Sequence, residues 1–389
     1  MKRTYTDRIR LPDFPLWDKM QGARKLISLD LEVTARCNNN CRHCYVNLPA
    51  DDKNAQKKEL TFDQIRTIVD QAVSLGALWC LITGGEPLLR KDFFDIYLYL
   101  KRKGLLISVF TNATLVTARH VEVFKRYPPR DIEVTVYGVT QTTYEKVTAK
   151  RGSFRAFMKG LEALNNAGLP VRYKAMALRS NVHELPQISE FCKQRTKDYF
   201  RFDPFLHLRF DRNEKRNRMI RNERLSPQQI VAIERGDKER RLALEKGCDK
   251  LIMPELEHVQ CDHLFHCGTG KGGFYVSYDG FLKLCSSLSH PSCLYDLKKK
   301  PLKHALEDFI PRVRDMRSDR KEYLEKCRKC AIFNLCLWCP AHSYLENGHL
   351  DKPVEYFCKV AHVRARSLRR TTGIRRAQFE SMITNKAVA

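Results

Sequence analysis

The stretch "RCNNNCRHC" places Cys37, Cys41 and Cys44 at a C-x3-C-x2-C spacing. Thiolates are ligands for soft metals, and a structural zinc ion or an iron–sulfur cubane takes four protein ligands when fully enclosed. This loop offers three. No further Cys or His follows at zinc-like spacing, and His43 lies inside the loop, where it would crowd a tetrahedral ion. Three thiolates suit a [4Fe–4S] cluster whose fourth iron stays open to a non-protein ligand. A zinc site is the competing assignment at this point.

A second group of cysteines lies in the C-terminal part. Cys261, Cys267 and Cys285 come first, with Gly280 between the last two. Cys327, Cys330, Cys336 and Cys339 follow as C-x2-C-x5-C-x2-C, and Cys358 closes the run. Eight cysteines satisfy two fully ligated clusters, or two structural zinc ions. The chain has 15 cysteines and begins without an apolar signal segment, so disulfides are a poor explanation and a cytoplasmic setting is expected. Cys80, Cys192, Cys248 and Cys293 remain, and buried thiols account for the first two.

The C-x3-C-x2-C loop after one strand, followed by "TGGEP" at the end of the next, resembles the radical S-adenosylmethionine (SAM) superfamily. The resemblance implies that SAM chelates the open iron and is cleaved reductively to a 5′-deoxyadenosyl radical, which removes hydrogen from a substrate. Gly84, Gly85, Glu86 and Pro87 would receive the SAM amino group. His43 would pack on the adenine, and Asn112 and Thr135 would reach the ribose or carboxylate. The chain departs from many members at two points: Tyr137 stands in place of an Asp, and Thr148 falls where an Arg is expected, with Arg151 as a substitute. The C-terminal run resembles the SPASM domain of peptide-modifying members. That implies a first auxiliary cluster on Cys261, Cys267, Cys285 and Cys339, and a second on Cys327, Cys330, Cys336 and Cys358. The spacing before Cys339 is two residues where the family usually has three. The expected cofactors are therefore SAM and three [4Fe–4S] clusters.

The elements that must position these residues alternate between strand and helix patterns. "ISLDLEVT" reads as a strand running into the cysteine loop, and residues 61–75 repeat apolar positions at helical spacing behind a Thr61/Gln64 capping box. Strands are expected at 79–83, 105–112, 132–138, 171–178 and 199–208. Helices are expected at 93–101, 118–126, 153–166 and 185–195. Six such units make an α/β fold with a parallel sheet, a partial (β/α)6 TIM barrel short of the closed eight. The expected divisions are an N-terminal extension (1–24), the barrel (25–206), a charged helical linker (207–260), the SPASM domain (261–360) and a basic tail (361–389). The linker contains a helix announced by Ser226, Pro227 and Gln229. From 261 onward the periodic pattern stops, as in a small domain held by metal more than by a core.

The formal net charge is +25, concentrated at 209–224 and in the tail. Such a balance favours acidic partners. No apolar run reaches transmembrane length, so no membrane is expected. The expected partners are a peptide substrate, including one with an acidic leader, and an electron donor such as flavodoxin or ferredoxin. The catalytic acid or base is not assigned. The function expected is a radical SAM peptide maturase that forms crosslinks. The alternatives are a radical SAM enzyme acting on a small-molecule cofactor precursor, and anaerobic sulfatase maturation. Ser286 after Cys285, where sulfatase-maturing relatives carry an Asp, argues against the latter. A basic zinc protein that binds nucleic acid explains the charge but not "TGGEP"; nucleic acid is therefore not an expected partner.

Overall fold

The computed structural model describes residues 26–196, 200–246 and 262–372, with the side chains of 369–372 excepted. Cys248 and Cys261 lie outside these residues. So do the first 25 residues and the end of the basic tail.

Strands β1 (Ser28–Thr34), β2 (Trp79–Gly84), β3 (Leu106–Thr111), β4 (Asp131–Thr135), β5 (Val171–Met176) and β6 (Arg201–Asp203) pair in sequence order, all parallel. Between them run α1 (Phe62–Ser74), α2 (Phe93–Arg102), α3 (Ala118–Arg126), α4 (Gln141–Thr148), α5 (Ser153–Asn166) and α6 (Leu185–Lys193). The Thr61/Gln64 capping box closes in both directions, as the sequence expects. Helix α4 is not evident in the sequence. It is short and rich in threonine, a residue with low intrinsic helix propensity.

Alternation along β1 puts Leu29, Leu31 and Val33 on one face and Asp30, Glu32 and Thr34 on the other. The first set joins a core with Ile82, Val109, Val134 and Phe157. The sheet curls on its polar face, because the chain leaving β6 returns to the loop leaving β1: Phe210 N–H donates to the Tyr45 carbonyl at 3.2 Å.

The C-terminal part is not held apart from this core. Strands β7 (Gly273–Val276), β8 (Phe281–Lys283) and β9 (Tyr295–Asp296) extend the same sheet to nine strands, with β7 parallel to β1. Phe274, Val276, Leu282, Trp338 and Phe357 belong to the same apolar cluster as β1 and α1. The expectation of a segment held by metal more than by a core is corrected accordingly: short strands and an isolated helix pattern hide apolar residues whose partners lie far away in sequence.

The charged stretch from 207 also packs down. It forms α7 (Glu214–Glu223), α8 (Pro227–Gly236) and α9 (Lys238–Lys246), with the expected capping box at Ser226 and Gln229. Arg364, on the C-terminal helix α11 (Glu355–Thr372), donates through Nε to Glu234 Oε2 of α8 at 2.9 Å in a buried pair. The preceding helix, α10 (Pro340–Asn347), is capped at its N-terminus by Cys339. No described helix is long and apolar enough to cross a membrane.

A shared core predicts shared stability. Leu282 is fully buried in β8, so Leu282→Ala should cost about 2–5 kcal/mol and lower one melting transition, followed by far-ultraviolet circular dichroism. A separate early melt with the rest unaffected would contradict this.

Candidate active site

The cysteine loop is fixed from three sides before any ligand is considered. On the first, the end of β2 is joined to it by backbone hydrogen bonds. Gly85 N–H donates to the Thr34 carbonyl at 2.7 Å and Glu86 N–H to the Arg36 carbonyl at 2.9 Å. A Cβ on Gly84 would stand 2.3 Å from the Thr34 oxygen, and one on Gly85 would stand 2.4 Å from the Arg36 oxygen. The two glycines are therefore required by the approach of the loop itself, in addition to any approach to a ligand. On the second side, the C-terminal carbonyls of α4, which have no partner within the helix, accept from the loop: Asn40 N–H to Thr148 at 2.9 Å and Arg42 N–H to Val147 at 3.1 Å. On the third, Arg216 of α7 donates to Asn40 Oδ1 at 2.9 Å, the Cys41 carbonyl at 3.2 Å and Asn47 Oδ1 at 3.1 Å. Arg209 donates to the Asn47 carbonyl at 3.1 Å.

Within this clamp Cys37 and Cys41 are buried and Cys44 is half-buried. Donors already point at the sulfurs: Asn39 N–H at Cys37 (3.4 Å), Asn47 N–H at Cys44 (3.4 Å) and Asn112 Nδ2 at Cys37 (3.7 Å). Such donors favour thiolates, yet burial, then the nearby Glu86, push Cys37 up to about 12, and burial, then the neighbouring thiols, hold Cys41 well above its ordinary value. Three thiolates this close and this dry ionise only with positive charge among them, which iron supplies. Buried polar atoms around the loop have no partner: both side-chain atoms of Asn39, His43 Nδ1 and the Tyr144 hydroxyl. Among the described residues, no group of three or more His, Cys, Asp or Glu is drawn around a single-ion position. The donor set and the orphaned atoms fit a cluster with a ligand beside it.

Of the residues expected to contact SAM, Gly85, Glu86 and Asn112 contact this loop or the residues that enter it, and His43 lies within it. Glu86 is fully buried; its carboxylate accepts from Thr111 Oγ1 at 2.8 Å, Asn112 N–H at 2.7 Å and Leu88 N–H at 3.1 Å. Three of about four acceptor positions are thereby used, leaving one for an ammonium. Burial raises it to about 7. Pro87 opens the 3-10 turn that Glu86 caps. Asn112 bridges Glu86 to the loop, also donating to Asn38 Oδ1 at 3.0 Å. His43 is buried, lies 5.0 Å from the Tyr137 ring and is held near 4 by burial and Arg216. Thr135 is half-buried at the end of β4. Thr148 is fully buried and donates to the Tyr144 carbonyl, while Arg151 is exposed.

The later cysteines separate into two neighbourhoods. Cys327, Cys330, Cys336 and Cys358 line one cavity of about 340 Å³ with Phe333 and Trp338. Cys285 is raised by burial, then by Cys339 and Cys267, which lie within electrostatic reach. Cys293 is buried with Met316 3.8 Å away, as an ordinary core thiol. Arg209, Arg216 and Asn47 were not among the expected site residues. Arg209 and Arg216 sit in sequence that reads as solvated charge, Asn47 follows the cysteine loop as an ordinary polar residue, and no spacing rule marks any of them.

Residues 31–192 match the model of the radical SAM superfamily. Those residues form a radical SAM domain, and the chain is an enzyme. It is 25% identical to the AdoMet-dependent heme synthase of Methanosarcina barkeri, over 85% of this chain and 95% of that protein. It is 23% identical to the sporulation killing factor maturation protein SkfB of Bacillus subtilis, over 73% of this chain and 63% of that one. Other curated relatives, among them the PqqA peptide cyclase of Bradyrhizobium diazoefficiens (27% identical), match over 40–44% of their own length. In fold, the chain is similar to Streptococcus suis SuiB bound to precursor peptide SuiA, with a TM-score of 0.63, 14% identity and 90% of this chain and 82% of that chain covered. It is also similar to anSMEcpe with bound AdoMet, with a TM-score of 0.62, 13% identity and 89% of this chain and 99% of that chain covered.

The Gly85 contact is testable. Gly85→Ala should leave circular dichroism near that of the parent but lower the iron bound after anaerobic reconstitution by about four irons, the content of one [4Fe–4S] cluster. Full iron retention would show that the glycine does not place the loop.

Proposed function

We propose that the chain is a peptide-modifying radical SAM enzyme, with a partial (β/α)6 barrel, a SPASM-type C-terminal region and three [4Fe–4S] clusters. In this reading Cys37, Cys41 and Cys44 hold the SAM-binding cluster. Cys261, Cys267, Cys285 and Cys339 hold the first auxiliary cluster, and Cys327, Cys330, Cys336 and Cys358 the second. When bound, the cluster and SAM supply a reductively generated 5′-deoxyadenosyl radical. The chain's own residues orient and enclose. Glu86 takes the SAM ammonium on its remaining acceptor position, Asn112 couples that carboxylate to the loop, and the orphaned His43 faces the ligand. Cys80 and Cys192 have packing roles. No disulfide joins any of the thirteen described cysteines, which leaves them available as ligands.

The observation that supports a peptide is the cavity beside the loop. It measures about 240 Å³ and is walled by Glu32, Tyr45, Arg209, Phe210 and Lys283. That is below the roughly 300–1,000 Å³ of ordinary small-molecule sites, and suits one or two residues of a peptide better than a macrocycle. Maturation of peptides by SkfB and the SuiA complex of SuiB are consistent with it. The basic surface suits an acidic leader or an acidic electron carrier such as flavodoxin or ferredoxin.

A second reading is favoured by one comparison: the heme synthase aligns over nearly its whole length. It makes the substrate an iron tetrapyrrole.

Anaerobically reconstituted protein should bind about twelve irons and release 5′-deoxyadenosine from SAM when reduced. Mass spectrometry should then show a precursor peptide changed in mass and an iron tetrapyrrole unchanged. The reverse pattern selects the second reading, and absence of 5′-deoxyadenosine contradicts both.

A further inference from the structure

Asn40 and Arg42 are exposed, while Cys41 between them is buried. The loop therefore brings solvent within one residue of a proposed cluster ligand. The borders of this exposed point follow from the contacts that hold the loop. On one side Asn40 and Arg42 hang on the last carbonyls of α4, so Lys146, Lys150 and Arg151 stand beside them. On the other, Arg216 of α7 reaches Asn40 Oδ1 at 2.9 Å, which brings Lys215 to the edge. Arg42, Lys146, Lys150, Arg151 and Lys215 are all exposed.

The acids that could neutralise this face are missing or engaged. No Asp or Glu occurs in 33–50 or in 146–161. Glu145 accepts from the Gly152 N–H at 2.8 Å, Asp211 pairs with Arg209 at 2.7 Å, and Glu214 pairs with Arg221 at 2.7 Å. None of the exposed cations around Asn40 pairs with a described carboxylate. Unpaired like charges repel one another, so such a face gains when an anionic surface covers it, and it steers that surface in from a distance.

We propose that this face docks an acidic one-electron carrier, a flavin or iron–sulfur protein, and that the electron for the SAM-binding cluster enters across the backbone of Asn40, Cys41 and Arg42. The proposal rests on the assignment of that cluster to Cys37, Cys41 and Cys44, and adds the place where its electron arrives. The carrier is oxidised by one electron and the cluster is reduced by one; no bond forms or breaks and no proton moves. An acidic peptide fits the face less well. A substrate has to reach groups that lie buried behind it, among them Cys37, Cys41 and His43, whereas an electron needs contact only. Redox encounters are served by small interfaces, under about 1,200 Å².

The test uses the reconstituted holoenzyme with an acidic flavodoxin and, separately, an acidic plant-type ferredoxin. A carbodiimide couples carboxylates of the carrier to lysines of the enzyme, and peptide mass spectrometry locates the crosslinks. They should fall on Lys146, Lys150 or Lys215, and salt at about 1 M, where charge acts over only about 3 Å, should remove them. The triple variant Lys146→Glu, Lys150→Glu, Lys215→Glu should be reduced by the carrier about tenfold more slowly, followed by visible absorbance. Its reduction by dithionite, which needs no docking face, should match wild type. If the triple variant does not fold, the crosslink map of wild type decides alone. Crosslinks confined to Lys326, Lys329 or Lys359, beside the proposed second auxiliary ligands, overturn the face. So does a wild type that neither carrier crosslinks or reduces, or a triple variant reduced as fast as wild type. Crosslinking of an acidic synthetic peptide to these lysines, with the carrier crosslinked elsewhere, makes the face a leader site and overturns the carrier. In all of these cases the cluster assignment stands as long as dithionite reduces a cluster that is lost when Cys37, Cys41 and Cys44 are replaced; if it does not, both fall.

Discussion

The site depends on a short backbone seam. The end of β2 is joined to the first residues of the cysteine loop by the two hydrogen bonds from Gly85 and Glu86 to Thr34 and Arg36. A hydrogen bond of this kind contributes only about 0.5–1.5 kcal/mol net. Its value here is geometric: it sets the carboxylate of Glu86 and the sulfur of Cys37 on a common frame, with Asn112 touching both. Any side chain at 84 or 85 would force the strands apart, since the colliding atoms are backbone.

The rest of the protein can be understood as support for that seam. Below it, the buried Glu59 carboxylate holds the Arg36 guanidinium at 2.7 Å, and Arg90 reaches the Val33 and Leu60 carbonyls. Beside it, the free carbonyls at the end of α4 take the loop's own N–H groups. Above it, α7 brings Arg216 across from a stretch far along the chain. A positive guanidinium on the Cys41 carbonyl favours negative charge on the nearby thiolates. The C-terminal strands complete the arrangement by joining β1 edge to edge. The segment carrying the later cysteines is thereby fixed to the strand that leads into the first three.

The sequence made the ligands legible because their chemistry needs fixed residue types at fixed spacing. Cys37, Cys41, Cys44 and the glycine pair stand out in any context, as do the capping boxes at Thr61 and Ser226. The helices that alternate with the parallel strands follow from strong local periodicity. What was not legible depends on tertiary partners. Arg216 looks like one more surface cation until α7 packs on the loop. Threonine-rich α4 gives no strong local signal, although it holds the loop. The pairing of β7 with β1 joins residues far apart in sequence, and nothing in "GFYV" names its partner. Cys261 lies outside the described residues, so of the proposed first auxiliary set the structure describes Cys267, Cys285 and Cys339.

The central claim is that three loop cysteines hold a cluster whose remaining iron takes SAM. Electron paramagnetic resonance of the reduced, reconstituted protein tests it most directly, recorded with and without SAM. The account predicts that SAM shifts one cluster signal, and that this signal vanishes when Cys37, Cys41 and Cys44 are all replaced by Ala while the others remain. A spectrum indifferent to SAM, or unchanged by the triple replacement, would contradict it.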